Sequence, residues 1–307
     1  MKSVLLTGAS GFIGRTAIRP LLERGFTVHA TSSKPPPEAQ PNVFWYKTDL
    51  FDASATLDLV SSVKPTHLLH FAWYVEHGKF WTAPENTQCV SASMNLVKNF
   101  AENGGKRVVM AGTCFEYDGY TDQESLSEVK SPLVPKSVYA VSKRDLYLKL
   151  QKYASENGLS YAWGRIFFLY GGFESPNRFV PSIVRSLLQN EEAKCSHGEQ
   201  IRDLMHVEDV GGAFVELLDG DVQGAVNIAS GEGHRLRDVA TMIAEIIGKP
   251  ELLRIGALSS APSEPARLVA DVSRLKNEVR FVPRRNLRSG LKETIGWWKS
   301  AADPAKD

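Results

Sequence analysis

The stretch SVLLTGASGFIG, Ser3 to Gly14, decides the fold: a short apolar run breaks into three glycines and continues into RTAIRPLLERG, Arg15 to Gly25. The apolar residues read as a strand, and the following segment reads as an amphipathic helix stopped by Gly25. Gly8, Gly11 and Gly14 therefore lie between a strand and a helix. In that setting Gly8 permits a tight turn, Gly11 lets backbone approach a pyrophosphate, Gly14 allows helix and strand to pack closely, and the helix N-terminus carries partial positive charge. A glycine triplet alone is weak; the strand before it and the helix after it point to dinucleotide binding.

The same alternation continues outward. FTVHAT, NVFWYKTDL, THLLHFAW, KRVVMAG and SYAWGRIFFLYG read as strands, with helical segments ATLDLVSSV, VSASMNLVKNFAENGG and SVYAVSKRDLYLKLQKYASENG among them. Strands alternating with helices imply right-handed crossovers and an α/β fold with a doubly wound parallel sheet. Past about Gly172 the rhythm changes to helices such as VPSIVRSLL and RDVATMIAEIIG, separated by short strands such as GAVNIA. The expected organisation is a dinucleotide-binding domain over residues 1–171 and a smaller α/β substrate domain over 172–307, with some later chain crossing back to the sheet.

Lys plus Arg total 36 against 35 Asp plus Glu, so no global field favours nucleic acid or an anionic membrane. The three cysteines, Cys89, Cys114 and Cys195, form no CxxC pair and no disulfide framework, which fits a reducing cytoplasm. The apolar start is too short for a signal peptide, and no run approaches the roughly 20 residues of a membrane span. His67 and His70, in a strand, would point to opposite faces, and no metal site is expected.

Dinucleotide sites that hold NAD place an acid about 20 residues after the glycines, on the ribose 2'-hydroxyl. Here the second strand ends HATSSKPPP. Thr31, Ser32, Ser33 and Lys34 offer hydroxyl donors and a cation that suit a 2'-phosphate, so NADP is favoured and NAD remains possible; the bland alternative is a polar turn with a solvated lysine. Asp49, after the third strand, reads as an adenine contact or as a turn residue. YAVSK places Tyr139 and Lys143 at i and i+4, on one helix face, where an ammonium lowers the pKa of a phenol from its usual value of about 10.

In this order the motifs TGASGFIG, LLHFAW, YAVSK and QIRDLMHVEDV resemble the extended short-chain dehydrogenase/reductase family of nucleotide-sugar epimerases, dehydratases and reductases. The last resembles the family's RDxxHVxDV segment, and the likeness covers essentially the whole chain. It implies a Rossmann-type sheet, a nucleotide-sugar substrate and a homodimer formed through two long helices, one of them the Tyr139 helix. Aligning AGTCFEY on the family's SSSxxVY through Tyr117 places Thr113 as the hydroxyl that orients substrate. The resemblance makes Tyr139 the proton carrier and Lys143 the residue that holds the ribose and lowers the tyrosine pKa. Cofactor contacts are then expected at Gly8, Gly11, Phe12, Ile13, Gly14, Ser32, Ser33, Lys34, Asp49, Leu50, Phe71, Ala72, Tyr139 and Lys143. Substrate contacts are expected at His77, Lys79, Thr113, Val180, Arg202 and Arg267. Arg202 would pair with the diphosphate, with a surface salt bridge to Asp203 as the alternative. His206 reads as a packing or hydrogen-bonding residue.

Departures from the pattern narrow the reaction. Dehydratases follow the active-site threonine with Asp and Glu, where this chain has Cys114 and Phe115. Fucose-type epimerase-reductases use a cysteine and a histidine where Phe115 and Phe173 stand. The family's asparagines at two pocket positions correspond to Phe168 and Cys89. What remains is redox at one carbon: reduction of a 4-keto-6-deoxy nucleotide sugar, or 4-epimerisation with retained NAD. A sensor of NAD(P) without catalysis stands as a third reading, because fold alone does not establish chemistry.

Overall fold

The computed structural model describes residues 2–33, 40–117, 125–259 and 265–301. Its first half runs β1 (Ser3–Thr7), α1 (Gly14–Glu23), β2 (Thr27–Ser32), β3 (Val43–Lys47), α2 (Ala53–Val63), β4 (His67–His70), α3 (Glu85–Glu102), β5 (Arg107–Thr113), α4 (Val138–Asn157) and β6 (Ser160–Ile166). There follow β7 (Phe168–Tyr170), α5 (Phe179–Leu188), β8 (Ala193–Lys194), β9 (Ile201–His206), α6 (Val207–Asp219), β10 (Gly224–Ile228), β11 (Gly233–Arg235) and α7 (Leu236–Ile247). The chain closes with β12 (Leu253–Arg254), β13 (Arg267–Leu268), α8 (Ser273–Asn277) and α9 (Leu287–Ala301).

Seven parallel strands form the main sheet in the order β10-β6-β5-β4-β1-β2-β3. The order reverses beside β1, which puts the crevice of a doubly wound sheet at the carboxyl ends of β1 and β4. Alternation along β1 feeds two cores. Val4 and Leu6 join Ala17, Leu21 and Phe214 on one face, while Leu5 joins Val60, Val97 and Leu150 on the other. Helices end where their sequence says they should: Asp52 caps α2 by accepting from the Ser54 and Ala55 amides, Ser137 caps α4, and left-handed Gly158 stops α4.

GAVNIA grouped by pattern with the short strands of the second half, but the structure places it elsewhere. As β10 it pairs in parallel with β6 and extends the main sheet. The preceding α6 packs on α1, where a Cβ on Gly211 would stand 2.2 Å from the Thr16 hydroxyl oxygen. The turn out of α6 is held by buried Arg107, which donates to the Leu218, Leu217 and Val222 carbonyls at 3.1, 2.8 and 2.6 Å. A smaller unit is built from β7, β9, β11 and β13 with α5, α7 and α9, around Val184, Leu187, Ile243 and Leu291. Trp298 packs against that core. Among the described residues no helix is long and apolar enough to cross a membrane.

Candidate active site

The glycine turn is bare because it has to be. Gly8 has φ +66°, and a Cβ there would stand 2.8 Å from the Ala72 amide; one on Gly14 would stand 2.1 Å from the Gly8 carbonyl oxygen. The first contact holds the turn against the end of β4, and the second lets α1 start directly on it. Gly11 is exposed, and Phe12 and Ile13 flank it half-buried. Phe71, half-buried, packs edge-on against Phe214 with ring centroids 4.8 Å apart. At the end of β2 the buried Ser32 hydroxyl pairs with that of Ser10 at 2.9 Å, and Ser33 is exposed. Lys34 lies outside the described residues. Asp49 is exposed and accepts from the Phe51 amide at 3.0 Å, with Leu50 half-buried between them. An exposed Gly11 at the head of α1, with side chains excluded around it, fits a dinucleotide pyrophosphate.

Sequence reasoning missed Arg15. Its side chain donates to the Ser10 and Gly11 carbonyls at 2.7 and 3.1 Å, and its guanidinium lies 4.0 Å over the Phe173 ring. The signal was present: Arg15 is four residues after Gly11 on the first turn of α1, where a long side chain reaches back over the loop.

Thr113 ends β5 and Tyr139 opens α4, and the threonine side chain lies close enough to the phenol to favour its ionised form. Lys143, one turn further on and 4% exposed, donates to the Ala111 carbonyl at 2.9 Å and lies 3.7 Å over the Trp73 ring. Helical spacing led us to expect the lysine to pull the phenol down. Burial instead pushes Tyr139 up, with Thr113 and Arg178 only partly opposing it. Lys143 is itself pulled down to about 7 by burial, which weakens the ammonium it can offer. Tyr139 is therefore a protonated donor at neutral pH. Next to Thr113, burial pushes the Cys114 thiol up, so it stays neutral and unreactive.

Below Thr113 lies a buried charge network. Glu116, fully buried, accepts from the Thr113 amide at 2.8 Å, from Trp163 Nε1 at 2.9 Å and from Arg165 Nε at 2.9 Å. Arg165 also donates to the Tyr117 hydroxyl at 3.2 Å, which in turn donates to Asn227 Oδ1 at 2.6 Å. Asn227 continues the network to the Leu126 and Asp271 carbonyls. Committed in this way, Glu116 is a strut for the Thr113 backbone and has no free oxygen for acid or base work.

The loop after β4 divides in two. Its aromatic residues close around Tyr139: the Trp73, Phe80 and Trp81 centroids lie 6.5, 4.9 and 5.8 Å from the phenol ring. His77 and Lys79 instead stand on the exposed rim, and Lys79 pairs with Glu76 at 2.6 Å. Val180 is buried in the core between α5 and α7.

Arg202 is 1% exposed, with its guanidinium 5.2 Å over Phe168. The alternative of a surface pair with Asp203 does not form. Neighbours on a strand face opposite ways, and Asp203 accepts from Ser230, Gly231 and Ala270. Arg267 faces the other way: on β13 it stands opposite Ile201 of β9, while Leu268 stands opposite Arg202. The Arg267 Nε is buried without a hydrogen-bond partner. His206 caps α6 by accepting from the Glu208 amide at 3.3 Å, and burial pulls it down to about 4, so it is neutral.

Glu174 is a group the sequence did not flag. Burial pushes its carboxyl up to about 8, against the pull of Arg178 and the Gly171 amide, and its Oε2 has no partner. The unfolded chain loses this proton near the usual carboxylate value of about 4. Between that pH and about 8 the folded state therefore holds a proton that the unfolded state has lost, and stability falls as pH rises through this window. Glu174→Gln should remove that slope, raising the melting temperature at pH 8 by on the order of 5 °C while leaving pH 4 nearly unchanged. Thermal unfolding at the two pH values checks it, and an equal shift at both would refute the protonated state.

A hydroxyl, a phenol and an amine gathered beside a dinucleotide cradle define the class, an NAD-dependent enzyme of the oxidoreductase type. The chain belongs to the NAD dependent epimerase/dehydratase family, which it matches over residues 4–229. It is 27% identical over 323 aligned positions to a dTDP-4-dehydro-6-deoxy-D-allose reductase of a Streptomyces species, covering 97% of this chain and 96% of that one. The structure of MoeE5 with UDP-glucuronic acid and NAD is 28% identical with a TM-score of 0.86, over 98% of this chain and all of that one. UDP-glucose 4-epimerase of Thermotoga maritima shares the fold at 22% identity and a TM-score of 0.88, covering 98% and 100% of the two chains.

Proposed function

We propose that the protein reduces the 4-keto group of a 4-keto-6-deoxy nucleoside-diphosphate hexose, with NADPH preferred over NADH. The observation that carries this reading is the Tyr139 phenol, walled by Trp73, Phe80 and Trp81, with the nearby Glu116 carboxylate committed to Arg165 and Trp163. A ketone reductase needs a proton donor at that point, whereas an epimerase or dehydratase begins by taking a proton from a carbinol.

When bound, the reduced nicotinamide supplies hydride to the carbonyl carbon. Thr113 orients the carbonyl oxygen and Tyr139 delivers its proton to it. The Lys143 ammonium holds the cofactor ribose and stabilises the phenolate that the transfer leaves behind. The Arg202 guanidinium engages the diphosphate, a task suited to a planar fork of donors. Ser32 and Ser33 at the end of β2, with Lys34, favour the 2'-phosphate. Glu116, locked to Arg165 and Trp163, leaves no carboxylate for dehydration. The reductase among the relatives supports the same reading.

Purified protein should oxidise NADPH, followed by absorbance of the reduced cofactor, when given 4-keto-6-deoxy sugars linked to dTDP or UDP. NADH should serve at least about tenfold less well, since the 2'-phosphate contacts are charge-assisted. Protein that arrives with tightly held NAD and interconverts 4-epimers without added cofactor would make the chain an epimerase instead.

A further inference from the structure

Four aromatic rings run without a break from the buried Arg202 guanidinium to the Tyr139 phenol. Arg202 lies 5.2 Å over Phe168, Phe168 meets Phe115 at 6.0 Å, Phe115 meets Trp81 at 4.8 Å, and Trp81 meets Tyr139 at 5.8 Å. The interplanar angles of the last three contacts, 75°, 90° and 87°, make each ring present an edge to the next. Phe168, Phe115 and Trp81 are each half-buried, so every ring keeps part of its surface open. The strip draws on three separate parts of the fold: the loop after β4, the short turn after β5, and β7. Two of its positions are those where the family resemblance led us to expect a polar or catalytic side chain.

We infer that Trp81, Phe115 and Phe168 form the subsite for the sugar ring and select a deoxygenated sugar. This deepens, and rests on, the reductase reading above. With the diphosphate on Arg202 and the carbonyl at Tyr139, the ring between them lies along hydrocarbon. A methyl group at C6 and the adjoining C–H face of the hexose are then buried against apolar surface. A C6 hydroxyl placed there loses its hydrogen bonds to water and gains none from the rings. An apolar pocket of this kind rejects an added hydroxyl by roughly tenfold to a hundredfold, which sets the discrimination expected here.

The test uses binding, so it does not depend on turnover. The full-length protein with NADP+ is titrated with dTDP, dTDP-6-deoxyglucose and dTDP-glucose, and with the matching UDP set, while tryptophan fluorescence is followed. The wild type should bind the 6-deoxy sugar at least about tenfold more tightly than its 6-hydroxylated partner. In Phe115→Ser the ratio should fall to within about threefold while affinity for the free nucleoside diphosphate holds; in Phe168→Asn the ratio should fall likewise, with some loss of diphosphate affinity because that ring also supports Arg202. Equal affinity for the two sugars in the wild type, or an unchanged ratio in both variants, overturns the subsite and leaves the reductase reading standing. Binding of neither sugar nor diphosphate in either set overturns both.

Discussion

Tyr139→Phe should lower kcat/KM for the keto sugar by about 10²- to 10⁴-fold, the usual worth of a positioned general acid, and leave the cofactor dissociation constant within about threefold. The split follows from where the phenol is. Its ring is walled by Phe80, Trp81 and Trp73, with the Thr113 side chain nearby. Phenylalanine keeps that wall and removes only the proton donor. The glycine turn, the Ser10–Ser32 pair and the Arg15 contacts are untouched. Steady-state kinetics with NADPH, beside cofactor titration by fluorescence, measures both quantities. A variant that keeps more than a tenth of the wild-type kcat/KM would remove Tyr139 from the reaction. A wild type that binds cofactor tightly and turns over no carbonyl compound would point to the sensing protein instead.

The glycine turn and the alternation after it were legible because each depends on neighbours in sequence: a strand must end, a turn must be free of side chains, a helix must begin. The placement of GAVNIA was not. Six mostly apolar residues carry no mark of which sheet they join, and that choice is made by α6 docking on α1 and by Arg107 gripping the last carbonyls of α6. Thr113, Tyr139 and Lys143 could be picked out, but their electrostatics could not. Helical spacing reveals the cation one turn away and says nothing of the Trp73 ring over it or of the burial that pushes lysine and phenol in opposite directions. Glu116 was the least visible. Between Phe115 and Tyr117 it reads as a polar turn residue, and its partner Arg165 lies 49 positions away on another strand.

Glu116 and Arg165 carry the second large expectation, and it concerns stability first. Their side chains are 0% and 1% exposed and joined at 2.9 Å, and the neighbouring carboxylate holds Arg165 firmly cationic. Removing one partner leaves a charge in the core without its counter-ion, which costs about 3–5 kcal/mol. Arg165→Met should therefore lower the melting temperature by on the order of 10 °C. Glu116→Gln should do so as well, since it keeps an acceptor for Thr113 and strands the guanidinium. The double variant should regain a large part of the loss, because two neutral groups of similar volume no longer oppose each other. Thermal unfolding of the three variants gives the coupling, and additive losses would mean that the pair is not a unit.

Activity separates the strut from the packing. Glu116 Oε1 accepts from the Thr113 amide and so fixes the end of β5, where Thr113 stands beside the phenol. Glu116→Ala should thus lower kcat well below what its loss of stability explains, even when assayed far under its melting temperature. Arg165→Met, which leaves that acceptor in place, should lower stability while kcat stays nearer the wild type. Equal kcat for Glu116→Ala and Arg165→Met would reduce Glu116 to a core residue with no hold on the reacting groups.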